Sequence, residues 1–353
     1  MKYRIVHKTS YSSLEPVSVG HNEAWLTPRA TQLQSVLAHR IDIEPQPSTR
    51  VVLTDYFGNT VTQFLFNQGY SKLLISAVNE VEIVPSEKWV TSPPWEVVLA
   101  EVQAHQSPEA LAAFEFTFDS PRCRRSPAFA DYGASSFHPG RPIIEVLEDL
   151  LERFSVDFKF DATATTVSTP VEVVFRQRRG VCQDFAHLLI SILRSLGFAA
   201  RYVSGYLLTD PPPGQPKLIG ADASHAWISV YCPGLGWLDY DPTNNQMPGQ
   251  RHVTVGWGRD YADVCPIKGV FLGGGQHSMT VAVDAQIVQE NYQVRCRPES
   301  SQIERLLVHS SVARTQPIVW SWKGSANRTV NSRKLSQSEQ RAVGIGEGDV
   351  WEI

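Results

Sequence analysis

The chain has 353 residues, of which 42% are apolar and 19% charged, and its formal net charge is −4. This length accommodates about two domains of roughly 150 residues each, and the composition is ordinary for a globular protein with a buried core. No basic excess favours a nucleic acid or an acidic membrane surface as a partner. We therefore expect neither of these partners.

The cysteines indicate a reducing environment. Their number is odd, their spacing is scattered and no C-x-x-C motif occurs among Cys123, Cys182, Cys232, Cys265 and Cys296. This pattern supports neither a disulfide framework nor a zinc site, and it favours the cytoplasm. The N-terminus MKYRIVHKTSYSS alternates and lacks the apolar region of a signal peptide. No run of about 18 apolar residues predicts a membrane-spanning helix.

Residues 1–95 are predicted to form an all-β domain. Tyr3, Ile5 and His7 alternate with polar neighbours, as in a half-buried strand. Phe57-Gly58-Asn59 lies between two further β-type runs and predicts a hairpin turn. The expected fold is a small β-sandwich or barrel that serves as a structural or substrate-orienting module.

Residues 96–296 are predicted to form a second domain of mixed α and β structure. Pro142 precedes an apolar stripe at helical spacing, from Ile143 to Phe154. A second stripe runs from Cys182 to Leu196 and ends at Gly197, a residue typical of helix C-termini. Strands then follow on both sides of a proline-rich loop at 211–216, and 273–275 is interpreted as a turn.

The polar segment 297–353 is predicted to be a flexible tail, because no long periodic pattern occurs in it. One short helix is expected near SQSEQRAV.

Cys182 is the candidate nucleophile. A cysteine has to ionise to a thiolate before it attacks a carbonyl carbon. Cys182 lies in the first turn of its predicted helix, where the dipole and free N–H groups favour negative charge. Arg178 and Arg179 lie just upstream and favour the same ionisation. The main contribution should come from an imidazole held against the sulfur.

His225 is the candidate imidazole and Asp241 its partner. His225 opens one predicted strand, and Asp241 ends the next. Antiparallel strands joined by a short turn bring two such positions together, and a carboxylate there fixes the tautomer of the ring. Asp239 lies on the same strand face as Asp241 and is the competing acid.

Three polar residues that follow Cys182 have other expected roles. Asp184 is expected to serve the first turn of the helix, Gln183 to face the cleft or solvent, and His187 to be structural. A metal site formed by Cys182, Asp184 and His187 is not expected, because their spacing does not bring the ligands together.

The ordered motifs resemble a known family. GVCQDFAHL, SHAW and WLDYDPTNN, in that order, are similar to the catalytic core of the transglutaminase-like superfamily, and most to its bacterial and archaeal branch. The N-terminal DxFGN hairpin at Asp55–Asn59 and the stretches from Gly258 and Gly273 resemble the same branch. The likeness covers about residues 1–290. It implies an α+β, papain-like core with Cys182, His225 and Asp241 as a catalytic triad.

This resemblance implies acyl transfer at amide bonds through a thioester. Members of the branch are regarded as cysteine proteases, so we expect hydrolysis of a peptide or protein substrate, by peptidase or deamidase action. The alternatives are protein-glutamine transamidation, glycanase-like deglycosylation and a non-catalytic binding module on the same fold. No acidic calcium-binding loop occurs, so we expect neither a metal nor another cofactor. The oxyanion donors expected are the backbone N–H of Cys182 and, as one possibility, Gln177.

Overall fold

The structure is a computed structural model that describes residues 1–85, 91–209, 223–288, 333–334 and 349–352. These residues belong to one compact unit formed by Met1–Val288 and Thr329–Ile353. The proline-rich loop at 211–216 and the helix expected near SQSEQRAV lie outside the described residues.

Strands β1 to β5 come first along the chain, most helices follow between Trp95 and Ser195, and further strands come after them. The strands are β1 Lys2–Ala24, β2 Gln34–Glu44, β3 Thr49–Thr54, β4 Thr60–Phe66, β5 Tyr70–Ile83, β6 Lys159–Phe160, β7 Arg179–Gly180, β8 Ala200–Leu207, β9 Ala223–Cys232, β10 Gly236–Tyr240, β11 His252–Gly258, β12 Ile267–Gly273, β13 His277–Ile287, β14 Arg333–Lys334 and β15 Asp349–Glu352. The α-helices are α1 Trp95–Ala104, α2 Pro108–Phe114, α3 Pro127–Ala134, α4 Ile143–Asp157, α5 Val171–Gln177 and α6 Cys182–Ser195. Short 3-10 helices cover Glu115–Thr117 and Tyr261–Asp263.

The long strand β1 organises the N-terminal β domain. Its first half pairs antiparallel with β5 and β13, and its second half, after an irregularity between Ser12 and Val17, pairs with β4 and β12. The irregularity lets one strand serve both halves of the sheet. Apolar side chains from both halves share one core that contains Val17, Ile41, Phe64 and Ile75. The predicted sandwich-like β domain is confirmed.

Strands from beyond residue 95 also enter this sheet. β12 and β13 pair with β1, and β15 pairs with β12. The sheet of the N-terminal domain therefore contains two strands from the predicted second domain and two, β14 and β15, from the predicted tail. The division of the chain at residues 95 and 296 stays a prediction.

The second domain packs helices against a four-stranded antiparallel sheet in the order β10-β9-β8-β11. The helix predicted after Pro142 is α4, and Ile143, Leu147 and Phe154 of its stripe are buried. The helix predicted at Cys182 is α6, and Gly197 follows its end with a φ of 91°. The predicted α+β class with a papain-like core is confirmed. No helix among the described residues is long and apolar enough to cross a membrane.

Amide side chains of the β domain cover the outer edge of β11. Asn59 accepts from the N–H of Trp257 at 3.1 Å and donates to its carbonyl at 2.8 Å. Gln34 makes the equivalent pair with Thr254, at 2.9 Å and 2.7 Å. Each side-chain amide thus makes the two hydrogen bonds that the backbone of a neighbouring strand would make. The N–H and C=O groups of Thr254 and Trp257 at this edge are therefore paired. The predicted hairpin turn positions Asn59, because Asp55 binds both its backbone N–H and its side chain.

We expect Asn59→Ala to lower the free energy of unfolding by about 2–3 kcal/mol, because it leaves the partly buried N–H and C=O of Trp257 without these partners. Urea denaturation measures this change. Asn67→Ala removes an exposed amide from the same β domain and should change stability by less than about 0.5 kcal/mol. Equal effects of the two substitutions would contradict the role assigned to Asn59.

Candidate functional site

Cys182 is the first residue of α6, and a local capping arrangement fixes this helix start. The Asp184 carboxylate accepts from the N–H of Val181 at 2.8 Å and from the hydroxyl of Thr165. A Cβ at residue 180 would lie 2.8 Å from that carboxylate, so Gly180 leaves room for it to fold back. The expected role of Asp184 in the first turn agrees with this geometry. Cys182 is partly exposed, whereas the other described cysteines, Cys123, Cys232 and Cys265, are buried.

His225 and Asp241 meet as the strand positions predict. β9 and β10 pair antiparallel, with Tyr240 opposite Ile228, and Asp241 follows directly. The Nε2 of His225 lies 2.8 Å from Oδ2 of Asp241. His225 is 8% exposed and Asp241 is fully buried. With Nε2 engaged by the carboxylate, Nδ1 is the ring nitrogen that remains for the thiol.

The charges at this site stabilise one another. Burial opposes protonation of His225, but hydrogen bonds with Asp241 and Cys182 outweigh it and raise the pKa of His225 to about 10. Burial also opposes ionisation of Asp241, yet hydrogen bonds from His225 and His252 hold the pKa of Asp241 well below its usual range. The arrangement therefore favours an imidazolium between a carboxylate and the thiol.

A second histidine, His252, and Asn244 also bind Asp241, and our sequence reasoning missed both. His252 opens β11, and its Nε2 lies 3.0 Å from Oδ2 of Asp241. The Asn244 amide donates to the same oxygen at 2.7 Å. Asn244 belongs to the quoted WLDYDPTNN motif, which offered a signal. His252 is a lone histidine in the sequence, and only the pairing of β11 with β8 brings it to the site.

Asp239, the competing acid, has other partners. It accepts from the Ser229 hydroxyl and from the indole N–H of Trp227. Burial raises the pKa of Asp239, and the guanidinium of Arg201 opposes that rise. The acid that hydrogen-bonds His225 in this structure is therefore Asp241.

The remaining polar residues near Cys182 have structural contacts. His187 accepts from the N–H of Tyr261 at 3.1 Å, and Gln183 donates to the carbonyl of Val167. The two upstream arginines also have other contacts, and their expected support of a thiolate at Cys182 stays a prediction. Arg178 lies over the rings of Phe158 and Phe175, and Arg179 pairs with Asp161. These contacts occupy both guanidinium groups, because aromatic faces and a carboxylate lie within their reach. Gln177, the possible oxyanion donor, ends α5 with an exposed side chain.

His225, Asp241 and His252 also place three metal-ligating atoms within 4.8 Å of one another. The hydrogen bonds, however, fit two N–H donors on one carboxylate. The Nδ1 of His252 accepts from the N–H of Gly249 at 3.3 Å, so the ring proton lies on Nε2 and points at Asp241. A cation at Nε2 would have to displace this proton. We interpret the three residues as a hydrogen-bonded cluster.

Gly205 makes room for the large side chain beneath this cluster. It pairs with His225 across β8 and β9. A Cβ at this position would overlap the indole of Trp227 and the carbonyl oxygen of Val253. Trp227 is fully buried, and its ring meets that of His252 edge-on at 5.3 Å. The absence of a side chain at residue 205 is therefore a requirement of the site.

We expect Gly205→Ala to lower the free energy of unfolding by about 1–3 kcal/mol, the usual effect of overpacking a core, and to displace His225. Thermal melting and the reactivity of Cys182 measure the two effects. Gly69→Ala adds a methyl group that would meet its neighbours only at ordinary contact distances and serves as the control. An unchanged melting temperature and unchanged reactivity of Cys182 in Gly205→Ala would contradict the requirement for glycine at residue 205.

We expect His225 to stay protonated through neutral pH and to lose its proton near pH 10. Its contribution to stability should be complete below about pH 6.5, its unfolded pKa, and should disappear as pH rises through about 10. Asp241→Asn removes the carboxylate, so burial should then dominate and lower the pKa of His225. NMR titration of the ring measures both values. Titration of wild-type His225 near pH 6.5 would contradict the assignment.

Comparisons with known proteins agree with this architecture. Residues 3–82 match the family model of the bacterial transglutaminase-like N-terminal region, and residues 138–242 match that of the transglutaminase-like superfamily. An uncharacterized protein of Mycobacterium tuberculosis is 41% identical over 293 residues, which cover 80% of this chain and 92% of that protein.

Two further matches are more distant. A protein-glutamine gamma-glutamyltransferase of Pseudomonas aeruginosa is 32% identical over 103 residues, which cover 28% of this chain and 15% of that protein. The crystal structure of a candidate cysteine protease from Cytophaga hutchinsonii has a TM-score of 0.64 at 19% identity, and the match covers 83% of this chain and 92% of that one. This last likeness shows the fold. The long match to the mycobacterial protein and the two family models show that the chain belongs to the transglutaminase-like superfamily.

Proposed function

We propose that this protein is a cysteine-dependent acyl-transfer enzyme that acts on amide bonds through a thioester. Cys182 is the nucleophile, His225 its acid–base partner and Asp241 the residue that orients the ring. The observation that carries the proposal is the buried pair of His225 and Asp241 at 2.8 Å, with the thiol of Cys182 contributing to the raised pKa of His225.

The chemistry follows from these positions. The Cys182 thiolate attacks the carbonyl carbon of the amide, and the first-turn N–H groups of α6, which have no partner within the helix, stabilise the oxyanion. The imidazolium of His225 donates its proton to the leaving amine as the C–N bond breaks. Water, deprotonated by the now neutral His225, then attacks the thioester; the C–S bond breaks, and the acid, the Cys182 thiolate and the imidazolium result.

We propose hydrolysis of a peptide or protein substrate as the net reaction, by peptidase or deamidase action. The resemblance of the motifs to the bacterial cysteine-protease branch supports this choice. Transamidation is the second candidate, since the Pseudomonas relative is named a protein-glutamine gamma-glutamyltransferase. The two reactions share every step up to the thioester and differ only in whether water or an amine attacks it.

We also propose that the protein works in the cytoplasm. Cys123, Cys182, Cys232 and Cys265 are free thiols, which fits a reducing compartment.

We expect iodoacetamide to alkylate Cys182 first at pH 7. Burial raises the pKa of Cys123 to about 12 and that of Cys232 to about 11, so these two thiols should react much more slowly. Peptide mapping by mass spectrometry measures each site, in a Cys296→Ser background because Cys296 lies outside the described residues. His225→Ala should slow the alkylation of Cys182 and leave the rates of the buried cysteines unchanged. Equal labelling of all the cysteines would exclude an activated thiol.

Incubating the protein with a peptide library, with and without a primary amine, distinguishes the reactions by their products. Cleaved peptides indicate a peptidase, conversion of amide to acid a deamidase, and amine adducts a transamidase. Activity should persist in EDTA and vanish in Cys182→Ala. Turnover by Cys182→Ala, or its loss in EDTA with recovery on adding calcium, would contradict the proposal.

A further inference from the structure

We propose that His252 is a positioning residue that holds the Asp241 carboxylate against His225. The inference rests on the proposed function and deepens it, because it assigns a role to a fourth residue of the same site. His252 is 6% exposed, and its Nε2 donates to the same carboxylate oxygen that His225 binds, at 3.0 Å.

His252 matters because most other donors to the Asp241 carboxylate lie on the same loop as Asp241. Oδ1 accepts the backbone N–H groups of Thr243 and Asn244, and Oδ2 accepts the side-chain amide of Asn244. These donors lie on the loop that carries Asp241 itself, so they move with it. Among the described residues, two side chains outside this loop donate to the Asp241 carboxylate. One is His225, the ring that Asp241 orients, and the other is His252. It therefore fixes the carboxylate relative to the sheet.

His252 is itself held from three directions. The N–H of Gly249 donates to its Nδ1 at 3.3 Å, which leaves the proton on Nε2, facing Asp241. The indole of Trp227 packs edge-on against its ring. The backbone that follows His252 is tied to the β domain through the bonds of Gln34 with Thr254. A donor anchored in this way can set the direction of a neighbouring carboxylate.

The position of His252 also connects the β domain with the chemistry. Gln34 and Asn59 hold the edge of β11, which begins at His252, and His252 holds Asp241. The β domain thus contributes to the orientation of His225 without touching it.

Two substitutions of His252 separate positioning from packing. His252→Gln keeps an N–H donor near the position of Nε2, whereas His252→Leu keeps the volume and removes the donor. In His252→Leu we expect the pKa of His225, followed by NMR, to fall by at least about one pH unit, because the carboxylate turns away. Alkylation of Cys182 should slow by about tenfold or more, the effect of losing one hydrogen bond to a charged group. His252→Gln should restore most of both.

A double-mutant cycle supplies the decisive comparison. If His252 acts through Asp241, His252→Leu should have little further effect in an Asp241→Asn background. His7→Leu is the matched control. His7 is a buried histidine of the β domain that binds Tyr206 and Thr9, and its loss should lower the melting temperature and leave the titration of His225 unchanged.

The outcomes distinguish the two proposals. An unchanged pKa of His225 in His252→Leu, or equal effects of His252→Leu with and without the Asp241 carboxylate, would overturn the role of His252. Absence of preferential Cys182 labelling in the wild type would instead refute the proposed function. The titration of His225 does not depend on catalysis, so it tests His252 in either case.

Discussion

The site depends on the burial of one carboxylate, that of Asp241. An isolated charge in a protein interior is strongly unfavourable, and a structure can keep it only by surrounding it with donors. Here the donors are two histidine rings, one amide and two backbone N–H groups. Because these donors stabilise the ionised form, the carboxylate stays charged in the interior and can hold a proton on His225.

The β domain takes part in the same arrangement through one edge of the four-stranded sheet, at β11. An exposed edge strand would present unpaired backbone groups, and Gln34 and Asn59 satisfy those of β11 with side-chain amides. A shared apolar core, in which Ile5 and Val81 lie with Tyr206 and Val253, joins the two sheets. The domain therefore contributes hydrogen bonds and apolar packing to the sheet that carries the candidate site. Its link to β11 gives that contribution a connection to the site.

Much of the local structure follows from local signals. The stripes of α4 and α6, the hairpin turn before Asn59 and the antiparallel pairing of β9 with β10 all depend on periodicity, turn residues and short connections. These features place Cys182 at a helix start and bring His225 to Asp241. The side chains of Arg178 and Arg179 show the limit of such signals, because nearness in sequence does not give the direction of a long side chain. Aromatic rings and Asp161 hold both guanidinium groups.

The sequence by itself determined the fold class, the family and the identity of Cys182, His225 and Asp241 as candidates, because ordered motifs and periodic patterns are properties of short segments. Tertiary structure decided what depends on contacts between distant segments. It brought β12 and β13 into the N-terminal sheet, separated Asp239 from His225, and added His252 to Asp241. No pattern around His252 marks it, since its partner lies on another strand and is reached only when β11 pairs with β8.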